Sequence, residues 1–109
     1  MVKLYTAQYR YSEEDRLDIT VKGKDPIGRV FAPTWGMVME YKDNNKYITA
    51  YHNYMISSYR RYRNIWDEIL SRDVVTFVCF CKPFSFCHRY LLAEYFSKLG
   101  AEYIGEREL

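Results

Sequence analysis

Cys79, Cys81, Cys87, His88 and Arg89 fall within one stretch, VVTFVCFCKPFSFCHRYLLAE over Val74–Glu94. It holds all 3 cysteines of the chain and one of its 2 histidines. Such residues carry thiol, acid–base, metal-ligating or anion-binding chemistry. Their setting follows from the residues around them. Val74–Phe80 is an unbroken apolar, β-branched run, the pattern of a strand buried on both faces. Lys82-Pro83-Phe84-Ser85 reads as a turn. Cys87, Leu91, Leu92, Tyr95, Phe96 and Leu99 then form a helical stripe that stops at Gly100. The cluster therefore sits between the carboxyl end of a strand and the start of a helix. Ligands bind there in α/β folds, and free backbone N–H groups favour an anion.

Counting positions narrows the chemistry. A phosphatase-type loop needs arginine as the sixth residue after its cysteine; from Cys81 that place holds Cys87. A Cys-x-x-Cys redox pair is absent. Zinc would use Cys79, Cys81, Cys87 and His88, but two ligands two apart within a strand are not a common knuckle, and the expectation is no metal and no cofactor. A Cys81–Cys87 disulfide requires Cα atoms within about 7 Å, and a cytosolic setting argues against it. Cys79 reads as a small buried hydrophobe. Cys81 and Cys87, near Lys82, Arg89 and a helix N-terminus, read as thiols of lowered pKa. Arg89 offers a planar fork for phosphate or carboxylate.

Parallel strands would bring more residues to the same edge. Gln8, Tyr9 and Arg10 leave the first strand, Val2–Gln8. Thr20 and Lys22 end a second, Leu17–Lys22, which alternates Leu17, Ile19 and Val21. Pro33 holds Ala32 extended after a short extended piece from Arg29. Thr34 caps a helix that begins at Trp35 and runs to about Tyr41. The expected lining is cationic, aromatic and hydrogen-bonding: Gln8, Tyr9, Arg10, Lys22, Thr34, Trp35, Lys82 and Arg89. It suits a phosphate-bearing or nucleotide-like small molecule.

The remaining elements make the scaffold. A long helix is predicted from near Tyr47 to about Ser71, with Tyr51, Tyr54, Met55, Tyr59, Tyr62, Ile65, Trp66 and Ile69 on one stripe. Ala101–Gly105 makes a last strand. The order predicts one α/β domain over residues 1–109, a compact three-layer build with a mostly parallel sheet of about 4–5 strands flanked by helices. The link Arg10–Arg16 is barely enough for a parallel crossover, so the first two strands read either as antiparallel or as joined by an extended link.

Composition sets the limits. The 109 residues are 49% hydrophobic, with 12 tyrosines, which predicts a packed core. A net charge of +2 is too weak to imply nucleic acid alone. No apolar run approaches a membrane span and the N-terminus carries no signal-peptide core, which predicts a soluble, cytoplasmic protein. Tyr59-Arg60-Arg61-Tyr62-Arg63 interleaves bases with aromatics, as nucleic-acid binders do. At helical spacing it also reads as a solvated face, with Arg63 paired to Asp67. His52 reads as packed or surface rather than as a ligand.

The strand ending in CFC followed by FCHRYLLAEY resembles the C-terminal signature of a bacterial and phage family of unknown function, marked by a Cys…Cys-His-Arg motif and a Leu-Ala helix. YTAQYR, DRLDITVK and FAPTWGMV look like its phage-associated branch. The resemblance implies a three-layer α/β fold with Cys79, Cys81, Cys87, His88 and Arg89 at the signature and Asp18 in the second-strand motif. It implies no substrate.

These residues suit three functions. The first is a ligand-binding domain with an anion or nucleotide-like pocket around Cys81–Arg89; a phage protein sequestering a nucleotide signal in its host cell is the setting this suggests. The second is a cysteine-dependent enzyme, with Cys81 or Cys87 as nucleophile and His88 as acid or base. The third is nucleic-acid binding through Arg60, Arg61 and Arg63 as a dimer, the homo-oligomer this reading expects.

Overall fold

Val74–Cys79 forms the central strand, β3, and its β-branched and aromatic residues make it the most deeply covered strand of the sheet. The structure, a computed structural model, describes residues 1–40, 44–80 and 87–109. Cys81 and Lys82 therefore lie outside the described residues.

Three more strands run parallel to β3: β1, Lys3–Gln8; β2, Arg16–Asp18; and β4, Glu102–Glu106. The order is β2-β3-β1-β4. Lys3 through Gln8 pair in register with Val74 through Cys79. The two early strands are not neighbours; both pair with β3, and the short link between them passes over its edge. This settles their orientation as parallel.

The helices are α1, Trp35–Glu40; α2, Asn44–Arg61; α3, Arg63–Leu70; and α4, His88–Lys98. The steps β2 to β3 and β3 to β4 cross the sheet in one direction, while β1 to β2 steps back. With right-handed crossovers, the helices fall on one face and the link on the other. The packing agrees. Leu4, Leu17, Phe77 and Cys79 share a core with Tyr51, Trp66, Leu92 and Phe96 of the helices. Ala7, Tyr11 and Val78 cluster separately. The layer opposite the helices is thus built from Tyr11, Asp15 and Arg107. Arg107 lies 3.6 Å over the Tyr5 ring and 3.2 Å from Asp15, which also accepts from Tyr11 and Thr76.

Three local readings are corrected. The long helix breaks at Tyr62, whose backbone leaves the helical region at φ −119° and ψ 37°. Across that break Trp66 Nε1 donates to Ser58 Oγ at 3.0 Å while its ring stacks on Phe96 at 4.7 Å. The second strand ends at Asp18, not Lys22, because the Asp18 carboxylate takes both the backbone N–H and the hydroxyl of Thr20 and turns the chain. The piece expected to be extended from Arg29 is a 3₁₀ turn, Gly28–Phe31, started by Asp25, whose Oδ1 accepts from Ile27 N at 2.9 Å.

Candidate functional site

The carboxyl end of β3 delivers Cys79, and the N-terminus of α4 delivers Cys87, His88 and Arg89. Cys87 is the N-cap residue of α4, with extended backbone (φ −160°, ψ 148°). That conformation turns its side chain back toward β3, where the sulfurs of Cys79 and Cys87 are joined as a disulfide. Both cysteines are buried.

His88 is buried beside them. Its Nε2 lies 2.8 Å from the carbonyl oxygen of Ile19. A carbonyl only accepts, so Nε2 carries the proton and Nδ1 presents a lone pair. That lone pair faces Cys87 Sγ at 3.7 Å. Burial pushes the His88 pKa down to about 4; the Arg89 charge adds to the fall, and the Ile19 bond and Asp18 oppose it. At neutral pH the ring is uncharged.

Arg89 is fully buried. Its Nη1 donates to Cys79 Sγ at 3.0 Å. Its Nε and Nη2 donate to the two carboxylate oxygens of Glu106 at 3.3 and 3.0 Å, and Nη2 also reaches Tyr90 OH at 2.9 Å. A planar fork laid on a carboxylate is the strong form of this pair. The charge of Arg89 is thus balanced from within the fold.

In front of the sulfurs lies a cavity of about 550 Å³, lined among others by Thr20, Lys22, Trp35, Phe80, Cys87 and His88, with Cys79 also in its wall. This size falls in the range of small-molecule sites. Trp35 is 49% and Phe80 67% exposed. Lys22 Nζ stands 5.3 Å over the Trp35 ring, a cation–π distance. Among the described residues, the mouth therefore presents one cation and two aromatic faces.

The other expected site residues divide. Thr34 caps α1, its hydroxyl accepting from Met37 N at 3.2 Å. Gln8 ends β1 opposite Cys79. Tyr9 stacks on Phe80 at 4.2 Å and takes the Arg16 guanidinium on its ring. Arg10 is exposed and donates to the Leu109 carbonyl. Gln8, Tyr9 and Arg10 are not in the cavity wall. Arg60, Arg61 and Arg63 are exposed on α2 and α3, away from it, and Arg63 pairs with Asp67 at 3.1 Å. Asp18 is buried beneath the Thr20 turn.

Sequence reasoning missed Glu106, the Ile19 carbonyl and Phe80. Glu106 reaches Arg89 only because β4 pairs with β1 so that Thr6 and Glu106 are partners. No spacing along the chain announces that. Phe80 carried a readable signal, a large apolar residue just past the end of a buried strand.

The family model DUF488-N3a, described as the active DUF488-N3 subclade, matches residues 4–100. No curated protein and no solved structure matches the chain.

Proposed function

The chain belongs to the DUF488-N3a family, and we propose that it binds a small planar molecule carrying an anionic group, of nucleotide type, in the cavity at the carboxyl edge of its sheet. The observation that carries this reading is the Lys22–Trp35 pair at the cavity mouth. An exposed indole offers a stacking face, and the ammonium beside it offers a charge for a phosphate or carboxylate. The wall is otherwise mainly apolar, which suits a ring more than a polyanion. Arg89, committed to Glu106 and Cys79, supports the floor rather than holding the anion. Sequestration of a nucleotide signal in a phage-infected cell is one use of such a pocket, and it calls for tight binding without turnover.

Titration calorimetry with nucleosides, nucleoside monophosphates and nucleoside diphosphates tests the reading. Binding that strengthens from nucleoside to monophosphate supports it. An absence of binding tighter than millimolar across the panel would remove it.

A second reading adds turnover. Cys87 caps α4 beside a neutral imidazole and lines the same cavity. With the Cys79–Cys87 pair reduced, a ligand there meets a thiol with a base at hand. The rate of iodoacetamide alkylation against pH checks it: a thiol reacting well below the free-cysteine value of about 8.5 supports nucleophilic use, and ordinary thiol behaviour argues against it.

A further inference from the structure

We infer that Cys79, Cys87 and His88, with the two cysteines reduced to the dithiol, form a binding site for a soft divalent cation of the Zn²⁺ type at the floor of this cavity. The Sγ atoms of both cysteines and a ring nitrogen of His88 lie within 4.8 Å of one another, and all three residues are buried. Two thiolates and an imidazole are a zinc donor set, and three protein ligands with one open position are the make-up of a catalytic zinc centre. The open position faces the cavity, since all three residues line it.

Three further features fit this use. The Ile19 carbonyl accepts a hydrogen bond from His88 Nε2–H, which fixes the tautomer and aims the Nδ1 lone pair at the Cys87 sulfur. Metal-bound histidines are oriented in this way by an outer hydrogen bond. Arg89 donates to the Cys79 sulfur and is itself held by Glu106, so thiolate charge at Cys79 has a partner behind it. The Cα atoms of Cys79 and Cys87 are 8.0 Å apart. That exceeds the span of about 7 Å that a disulfide bridges without backbone movement. The backbone thus brings two sulfurs and a nitrogen to one point, and reduction of the pair leaves three donors there for a cation.

The charge balances. Binding Zn²⁺ releases the two thiol protons, and the resulting ZnS₂N centre is neutral beside the neutral Arg89–Glu106 pair. The site goes beyond the ligand-binding reading and does not depend on it: a cation here would meet the polar end of a cavity ligand or an activated water.

The test uses the full chain, reduced with a phosphine and freed of metal by dialysis against a chelator. Zn²⁺ is titrated against a chromophoric chelator. Co²⁺ is then added, and thiolate-to-cobalt charge-transfer absorption is recorded. The expected result is one equivalent of Zn²⁺ at sub-micromolar affinity, a charge-transfer band with Co²⁺, and weakening of at least ~100-fold in Cys79→Ser, Cys87→Ser and His88→Ala. Cys81→Ser is expected to keep the site. Circular dichroism identifies any variant that fails to fold, and for such a variant the wild-type cobalt band stands as the readout. Absence of both Zn²⁺ uptake and the cobalt band in wild type overturns the site. So does binding that survives in folded Cys79→Ser and Cys87→Ser, or binding lost in Cys81→Ser alone. Failure here leaves the nucleotide titration untouched, so the two readings stand or fall separately.

Discussion

Arg89 and Glu106 form a two-pronged ion pair in which the side chains are 0% and 2% exposed and Arg89 Nη2 lies 3.0 Å from Glu106 Oε2. The pair ties the first turn of α4 to the last strand, and its other donor reaches Cys79. Removing one member leaves a buried charge without its partner. Glu106→Ala is therefore expected to lower stability by about 3–5 kcal/mol, as for other buried pairs broken from one side. Urea unfolding measures it. A loss below about 1 kcal/mol, the scale of an exposed pair, would show that Glu106 does not hold Arg89.

Glycines give a sharper contrast. A Cβ on Gly28 would lie 1.9 Å from the carbonyl oxygen of Asp18, a backbone atom that cannot swing away. Among the described residues, a Cβ on Gly36, exposed in α1, would meet only the Thr34 hydroxyl, at 3.8 Å. Gly28→Ala is expected to cost at least ~3 kcal/mol, at the upper end of overpacking effects. Gly36→Ala is expected to be neutral or to gain up to about 1 kcal/mol from helix propensity. Equal unfolding midpoints for the two variants would contradict the packing of the 3₁₀ turn against β2.

Acid stability should depend on Asp15. Burial raises its pKa, but hydrogen bonds from Thr76 and Tyr11 and the charge of Arg107 outweigh this and hold it below the ordinary 3.8. A carboxylate with a lowered folded-state pKa stabilises the fold above its unfolded value. That contribution is lost as pH falls through 3.8 toward the folded pKa. Wild type is expected to lose more stability than Asp15→Asn between about pH 5 and pH 2. Parallel acid-unfolding curves would show that the carboxylate is not ionised within this network.

These residues also show what could be read in advance. The buried strand Val74–Cys79, the Thr34 cap and the helix beginning after Cys87 were legible because each is local: β-branched runs, cap chemistry and a helical stripe act over a few residues. The break at Tyr62 was hidden because the apolar stripe continues through it, and only the Ser58–Trp66 bond across the break reveals it. The strand order was hidden because the link between β1 and β2 passes over β3, and no composition encodes a crossing. Within the site, the Cys-His-Arg cluster, Lys22 and Trp35 were visible from the sequence. The placement of the Cys79 sulfur against Cys87 was not. An apolar run gives the same pattern whether a cysteine packs as a hydrophobe or turns its sulfur to a partner. Glu106 depended on the register of a strand at the far end of the chain.

Binding at the cavity mouth should divide between stacking and charge. Trp35→Ala is expected to weaken a nucleoside monophosphate by about 10–100-fold, the range for losing one stacked base. Lys22→Ala is expected to weaken it by about 10-fold and to flatten its salt dependence, since an exposed ammonium is screened. Calorimetry at low and high salt separates the two. Equal losses at every salt concentration would place the anion elsewhere.

The most direct test of the central claim is the dissociation constant of the tightest nucleotide for three proteins: wild type, Lys22→Ala/Trp35→Ala, and Arg60→Ala/Arg61→Ala/Arg63→Ala. The cavity variant is expected to lose binding and the helix variant to keep the wild-type value. Retained binding in the cavity variant, or loss confined to the arginine variant, would contradict it.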